Sequence, residues 1–203
     1  MSRYTGPRVH VLRALGTELP GLSRKKIERR PYPPGQHGQA RKKLSEYALR
    51  LREKQKLRYG YGVSEKQLRN LVREANKSRI APGEKLLELL ERRLDNVVFR
   101  AGFARTIPAA RQMVNHGHVL VGGHRVDIAS YRVSVGDVIT VTEKARKQTH
   151  ILAALADTSM ETPGWLEIDK GELKTTLKAL PDSAAVPFPI EIRQVVEFYA
   201  MSI

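Results

Sequence analysis

The sequence contains no cysteine and few aromatic residues, and each shortage narrows what the protein can be. Without cysteine there is no disulfide and no thiolate zinc site. Aromatic residues make up 6% of the 203 residues and hydrophobic residues 41%, so we expect a modest core. No run of roughly eighteen apolar residues occurs, and the first residues lack the apolar segment of a secretory signal. We therefore expect a soluble protein of the cytoplasm or of an organelle interior.

Acidic residues are also scarce, and the excess of positive charge points to the partner. Lys and Arg total 36 against 21 Asp and Glu, which gives a formal net charge of +15. Residues 1–60 hold 16 basic and 4 acidic side chains, whereas residues 156–203 hold 4 and 8. Such a chain repels copies of itself unless a polyanion neutralises it, and nucleic acid is the leading candidate. We expect the basic surface in the N-terminal and central parts of the chain.

The first 44 residues predict little regular structure. They are rich in Arg, Lys, Gly and Pro, and the prolines of PYPPGQHG (31–38) disfavour a helix. One interpretation is a disordered basic tail. The interpretation that we favour, because of Tyr4, Tyr32 and the Pro-Gly turn, is a loop that becomes ordered by contact with RNA.

Helix caps and apolar spacing predict the helices that follow. Ser45 is a candidate N-cap for a helix over about residues 45–59, with an apolar stripe at Leu44, Ala48 and Leu51. Ser64 and Gln67 form an S-x-x-Q capping box for the next helix. The leucine-rich stretch 86–98 is expected to form the core, and Thr106 can cap a further helix.

From His118 onward the apolar period changes from 3.6 to 2, which predicts short strands. Segments 118–121, 124–126, 131–133 and 138–141 alternate, and Gly122-Gly123 supplies a hairpin turn. Residues 165–168 and 191–199 are further candidate strands that could pair with one another.

The predicted class is α+β. We expect a basic extension at 1–44, a mainly helical domain at 45–91 completed by 157–203, and a small domain at 92–156. In the small domain, two helices pack on a short-stranded antiparallel sheet.

No pattern in the sequence indicates catalysis, a cofactor or a metal site. No G-x-S-x-G elbow and no phosphate-binding P-loop occurs. Asp95, Asp127 and Asp137 are isolated carboxylates for which capping or ion pairing is the better interpretation. His116 and His118 lie near His124, but no carboxylate stands at ligand spacing. We expect a protein that is not an enzyme.

The central basic residues are better explained by phosphate binding. Arg105 and Arg111 lie at the start and in the body of the helix that Thr106 caps, and a helix N-terminus favours anions. Gln112, His116 and Arg125 are expected on the same side. The alternative is ordinary solubilising charge, which is less favoured because few acidic residues alternate with these cations.

These segments resemble a known family. RLDNVVFRAGFA (93–104), TIPAARQMVNHG (106–117) and GDVITV (136–141) are similar to the S-four RNA-binding domain. PPGQHG (33–38), SEYALRLREKQKLRYGYGVSEKQLRN (45–70) and VVEFYA (195–200) resemble the bacterial and plastid small ribosomal subunit protein S-four family along nearly the whole chain. The opening SRYTGPRVHVLRALGTELPGL looks closest to the cyanobacterial and plastid branch. Gly122 departs from the Asn that is common in the family.

The resemblance implies a primary binder of small-subunit (16S-type) rRNA that nucleates assembly of the 5′ domain and contributes to translational accuracy. It implies that ribosomal proteins S-five and S-three are neighbours, near the pore where mRNA enters, and that Arg41, Lys42 and Lys43 contact the mRNA. The cysteine zinc site of some relatives is absent. The expected location is the cytoplasmic ribosome of a bacterium, with a cyanobacterium or a plastid stroma as possibilities.

The residues that we predict to contact rRNA are polar or aromatic and come from every basic segment. They are Arg3, Tyr4, Arg8, Arg13, Arg24, Lys25, Lys26, Arg29, Arg30, Gln36, His37, Arg50, Arg52, Lys54, Lys56, Arg58, Tyr59, Arg69, Arg73, Arg105, Arg111, Gln112, His116 and Arg125. The alternatives are a non-ribosomal RNA-binding factor, or a fragment of an RNA-modifying enzyme that carries the same domain.

Overall fold

The computed structural model describes residues 4–40, 43–157, 162–182 and 185–201. Within those ranges the helices are α1 (Arg8–Leu15), α2 (Glu46–Gly60), α3 (Glu65–Ala75), α4 (Pro82–Glu91), α5 (Leu94–Arg100), α6 (Ile107–Asn115), α7 (Glu143–Arg146), α8 (Thr149–Leu155) and α9 (Ile192–Ala200). The strands are β1 (Val119–Val121), β2 (His124–Arg125), β3 (Val138–Val141), β4 (Leu166–Asp169) and β5 (Lys174–Leu177). The α+β class is confirmed.

The chain forms two compact units. One comprises residues 1–86 and 186–203, and the other comprises residues 87–185. The sequence analysis predicts that 157–203 completes the helical domain, but β4 and β5 belong to the second unit because they extend its sheet. Only the segment from residue 186 onward joins the helical unit.

The caps predicted from the sequence are present. The Ser45 side chain accepts a hydrogen bond from the Ala48 N–H, and Ser64 and Gln67 form a reciprocal capping box. Thr106 caps α6, which carries Pro in its first turn. A capping side chain satisfies N–H groups that have no partner within the helix, so these residues fix where α2, α3 and α6 begin.

Unit 1 contains a helix that the sequence analysis did not predict. Residues 8–15 form α1, which packs against α2, and Leu12, Leu15, Leu19 and Leu22 are buried. The expectation that residues 1–44 lack a regular helix is therefore wrong for this stretch. Leu12 and Leu15 are three positions apart, which is a helical spacing, whereas Leu19 and Leu22 are buried beyond the end of α1.

The buried face of α2 also differs from the expected stripe. Leu44 remains 42% exposed, while Glu53, Lys54, Leu57 and Gly60 turn inward. This face packs against α9. The polar residues reach the interior because partners on other helices satisfy them, which sequence spacing alone does not reveal.

Unit 2 is built on an antiparallel sheet of order β2-β1-β3-β5-β4. The predicted hairpin forms, with Val121 opposite His124 and positive φ at Gly122 (56°) and Gly123 (84°). Glycine adopts this conformation without a steric cost, so Gly122 is compatible with the turn in place of the family's Asn. The predicted strand at 131–133 is reduced to a single bridge between Arg93 and Arg132.

The proposed pairing of residues 165–168 with 191–199 is wrong. β4 pairs instead with β5, and residues 192–200 form the helix α9. Val195 and Tyr199 are buried four residues apart, which is the helical period. The run IRQVVEFYA has apolar residues at both helical and strand spacings, so its local pattern was ambiguous.

Candidate nucleic-acid interface

In unit 1, a stretch of exposed cations follows α1 in the chain. Lys25, Lys26, Arg29 and Arg30 are all exposed. Arg13 holds the backbone at the end of this stretch, because its Nε lies 3.1 Å from the carbonyl oxygens of both Arg30 and Tyr32. We call residues 24–30 the basic loop. Four of its five cations are exposed while Arg13 holds the backbone at its C-terminal end, which suits binding to a polyanion.

Arg13 and Arg52 act mainly on the protein itself. The Arg13 guanidinium lies 5.2 Å from the centre of the Tyr32 ring, a cation–π contact. Arg52 donates two hydrogen bonds to the carbonyl oxygen of Leu15, at the C-terminal end of α1. A cation at that end satisfies a free carbonyl and interacts favourably with the helix dipole. The structure therefore places these two predicted rRNA contacts where they order the N-terminal segment.

Basic side chains of α2 are similarly occupied. Arg50 Nε lies 3.1 Å from Glu197 Oε2 on α9, and Lys56 Nζ lies 2.6 Å from Glu53 Oε1. Lys54, whose side chain is 6% exposed, bonds Glu65 at 2.9 Å. Each of these cations was predicted to contact rRNA, and each has a carboxylate partner inside unit 1.

The Glu65 carboxylate lies at the centre of this network. It accepts hydrogen bonds from Lys54 Nζ at 2.9 Å and from the Tyr199 hydroxyl at 2.7 Å. Burial by itself would raise the pKa of Glu65, but these two hydrogen bonds and the charges of Lys54 and Arg58 lower it below its usual range. Burial, followed by the hydrogen bond to Glu65, raises the pKa of Tyr199, which keeps the phenol protonated as a donor.

The remaining predicted contacts of unit 1 divide by exposure. Tyr4 packs edge-on against Tyr59 with ring centres 5.2 Å apart, and Arg58 lies 5.1 Å from the Tyr59 ring. Arg8 and Arg24 are half-buried. The exposed members are Gln36, His37, Lys43, Arg69 and Arg73. Arg3, Arg41 and Lys42 lie outside the described residues.

Arg69 and Arg73 form a row on the solvent side of α3. They are four residues apart, Lys66 is exposed on the same helix, and Lys77 is exposed two residues beyond its C-terminal end. The opposite side of α3 is buried through Leu68, Leu71, Val72 and Ala75. We call Lys66, Arg69, Arg73 and Lys77 the α3 row. Lys66 is not among the rRNA contacts predicted from the sequence, although it lies three residues before Arg69, which is a helical spacing.

In unit 2, Arg111 occupies a buried site. Its Nε and Nη2 lie 3.0 and 2.6 Å from Oδ2 of Asp95, which is fully buried. Arg93 bonds the same carboxylate through Nε and Nη2 at 3.1 and 3.0 Å. The interpretation of Asp95 as an ion-pairing residue is confirmed. The Arg111 side chain is only 12% exposed, so we expect its loss to lower the stability of unit 2.

The other predicted contacts of unit 2 face solvent. Gln112, His116 and Arg125 are exposed, and the Arg105 side chain is 55% exposed with Nε 3.5 Å from Asp157. Arg125 Nη2 donates to the main-chain oxygen of His116 at 3.3 Å. This contact brings the end of α6 and strand β2 together. We call Gln112, His116 and Arg125 the α6–β2 face.

Other kinds of site can be considered for the described residues alone. No group of three or more His, Cys, Asp or Glu side chains in the described ranges is arranged to hold a metal ion. None of the helices described there is both long and apolar enough to pass through a membrane.

Comparison with known proteins gives matches along the chain. A model of the "Ribosomal protein S4/S9 N-terminal domain" matches residues 3–91, and a model of the "S4 domain" matches residues 92–139. The "Small ribosomal subunit protein uS4" of Methylobacillus flagellatus is 53% identical over 202 residues, covering 98% of each chain. The proteins of the same name from Thermosynechococcus vestitus and Rippkaea orientalis are 51% and 53% identical, covering 100% and 98% of each chain.

These values confirm the resemblance. They do not favour a cyanobacterial branch, because the protein of Methylobacillus flagellatus is as similar to this chain as those of Thermosynechococcus vestitus and Rippkaea orientalis are. They also confirm that the chain is not an enzyme, because the relatives are ribosomal-subunit proteins. Two family models that together span residues 3–139, and relatives of about half identical sequence over the full length, establish that the chain belongs to the small ribosomal subunit protein uS4 family.

Proposed function

We propose that the protein is a structural constituent of the small ribosomal subunit and a primary binder of its 16S-type rRNA. The observation that carries this proposal is the distribution of positive charge. Inward cations such as Arg50, Lys54 and Arg111 bond carboxylates of the same unit. Lys25, Arg29 and Arg30 of the basic loop and the cations of the α3 row are exposed instead, and the exposed Lys26 pairs with the exposed Glu28. The excess charge is therefore presented to an external polyanion.

Recognition is proposed to depend on phosphates and on shape. Folded RNA is bound mostly through phosphates and 2′-hydroxyls, with little reading of base edges in A-form helices. The basic loop and the α3 row supply this surface in unit 1, and the α6–β2 face supplies it in unit 2. Arg13 bonds the carbonyl oxygens of Arg30 and Tyr32, and Arg125 bonds that of His116, so part of the backbone beside these surfaces is held by the protein itself. Backbone that is already held in place loses less conformational entropy on binding.

The finer role follows from the family resemblance and is part of the proposal. The protein would nucleate assembly of the 5′ domain and contribute to translational accuracy, with ribosomal proteins S-five and S-three as neighbours. Arg41, Lys42 and Lys43 would contact mRNA where it enters, and the exposure of Lys43 supports this. The location would be the cytoplasmic ribosome of a bacterium. A non-ribosomal factor or an enzyme fragment is disfavoured because the ribosomal relatives match over at least 98% of the chain.

The salt dependence of binding tests the electrostatic mechanism. Each neutralised phosphate contributes about 0.7 to 0.9 to the slope of log affinity against log salt. If roughly six exposed cations each contact one phosphate, filter binding to naked 16S-type rRNA should give a slope of about −4 to −5. A large-subunit rRNA fragment of equal length is the control and should bind more weakly at every salt concentration. A slope near zero, or equal affinity for the two RNAs, would contradict the proposal.

A further inference from the structure

The segment that completes unit 1 is the last part of the chain. Unit 1 comprises residues 1–86 and 186–203, whereas unit 2 is the uninterrupted stretch 87–185. We call residues 186–200, which include α9, the C-terminal strap. Among the described helices, α9 and α2 make the most extensive contact, and α9 packs on α3 as well. The C-terminal strap therefore joins two helices that come from the first half of the chain.

The apolar side of the C-terminal strap fits against two glycines of unit 1. Phe188 is 7% exposed, and a Cβ at Gly60, the last residue of α2, would lie 2.7 Å from Cζ of its ring. A Cβ at Gly83, in the first turn of α4, would lie 3.0 Å from Cγ1 of Ile192. Val195 is fully buried. These side chains fill the space beside α2 and α4 that the two glycines leave open.

Polar groups of α2 and α3 also depend on the C-terminal strap. The Glu191 N–H donates a hydrogen bond to Oε2 of Glu53 at 3.0 Å, and the Tyr199 hydroxyl donates one to Glu65 at 2.7 Å. Glu53 is only 8% exposed, and a buried carboxylate is costly unless it is hydrogen-bonded. Without the C-terminal strap, the inward faces of α2 and α3 therefore lose both apolar cover and hydrogen-bond donors.

Unit 2, in contrast, is assembled from one uninterrupted segment. The five strands of its described sheet lie between residues 119 and 177, and its buried ion pair joins Asp95 to Arg111, 16 residues along the chain. In unit 1, Tyr199 bonds Glu65 across 134 residues of sequence. Contacts between residues that are near in sequence form sooner, because closing a short loop costs less conformational entropy. This difference favours earlier folding of unit 2.

We propose that the C-terminal strap is a conformational lock. In the free protein, unit 2 folds first, and unit 1 acquires a stable fold only when the C-terminal strap docks on α2 and α3. Domains usually fold in the order of their synthesis. Here the unit that begins the chain is completed by the segment that ends it, so the order is reversed. The inference goes beyond the proposed function, because it concerns the free protein and requires no RNA.

Pulse-labelling hydrogen exchange during refolding of the intact protein tests the order of folding. The amides of β1, β3 and β5 should become protected before those of α2 and α3. The amides of α2, α3 and α9 should gain protection at one common rate, because docking of the C-terminal strap is the step that stabilises all three helices. Protection of α2 and α3 before α9, or of unit 1 no later than unit 2, would contradict the proposal.

Full-length variants test the lock at equilibrium. Val195→Asp places a charge at a fully buried position of α9, and we expect amide exchange in α2 and α3 to become at least about a hundred-fold faster. Exchange in β1, β3 and β5 should stay within about two-fold of wild type. The matched control, Ala200→Asp, introduces the same charge at an exposed position of the same helix and should leave exchange in both units close to wild type.

A milder variant keeps the test decisive if Val195→Asp fails to fold. Val195→Ala removes only buried methyl groups and should make exchange in α2 and α3 about ten-fold faster. Wild-type exchange of α2 and α3 in either Val195 variant would overturn the inference. An equal acceleration in unit 2 would also overturn it, because the chain would then unfold as a single cooperative body. An equal effect of Ala200→Asp would show that docking of the buried face is not what stabilises unit 1.

Discussion

Asp95→Ala is expected to destabilise unit 2 by about 3 to 5 kcal/mol, the usual cost of removing one partner from a buried ion pair. The Asp95 carboxylate is fully buried and bonds two arginines, Arg93 and Arg111, whose side chains are 6% and 12% exposed. Its removal takes the Asp95 charge away from two guanidinium groups that both bond it. Repulsion and lost hydrogen bonds therefore act in the same direction.

Urea unfolding followed by tryptophan fluorescence measures this effect in the relevant unit. The chain has one tryptophan, Trp165, which is 7% exposed and belongs to unit 2. Asp127→Ala is the matched control, because it makes the same chemical change at an exposed carboxylate of the same unit. We expect the control to unfold close to the wild-type midpoint. Equal midpoints for the two variants would show that the Asp95 ion pairs do not hold unit 2 together.

The triple variant Lys25→Gln/Arg29→Gln/Arg30→Gln is expected to weaken rRNA binding about fifty-fold or more near 0.15 M salt. The three exposed side chains belong to the basic loop, and three lost phosphate contacts would reduce the salt slope by about 2 to 3. Stability should stay close to wild type, because Arg13 holds this loop through backbone carbonyls that the substitutions retain.

The matched control for the basic loop is Lys170→Gln/Lys178→Gln/Arg193→Gln. These three side chains are also exposed, lie outside the proposed surfaces and remove the same amount of charge. Filter binding across a salt series should show near wild-type affinity and slope for this control. If both triple variants lose affinity equally, binding depends on net charge alone, and the basic loop has no specific role.

Features controlled by short stretches of sequence could be predicted. The caps at Ser45, Ser64 and Thr106 and the Gly122-Gly123 hairpin depend on residues within three or four positions. The prediction of a strand at 191–199 was wrong because the apolar residues of this segment occur at both helical and strand spacings. Packing against α2 favours the helix.

The candidate surface was harder to predict because exposure depends on distant partners. Lys54 and Arg69 are both basic residues on predicted helices. Lys54 is buried against Glu65, and Arg69 is exposed. Arg50 finds Glu197, which lies 147 residues away in sequence. Composition located the positive charge along the chain, but the fold determines which cations are neutralised internally.

Directed hydroxyl-radical cleavage tests the central claim most directly, because the chain has no cysteine and accepts a single attachment point. Iron-EDTA would be tethered to Gln39→Cys, close after the basic loop, or to Glu172→Cys, in the turn between β4 and β5; both positions are exposed. With naked 16S-type rRNA, we predict strong cleavage confined to the 5′ domain from Gln39→Cys, and weaker cleavage from Glu172→Cys. Absence of cleavage from Gln39→Cys at concentrations that saturate binding would contradict the claim that the exposed basic surface faces rRNA.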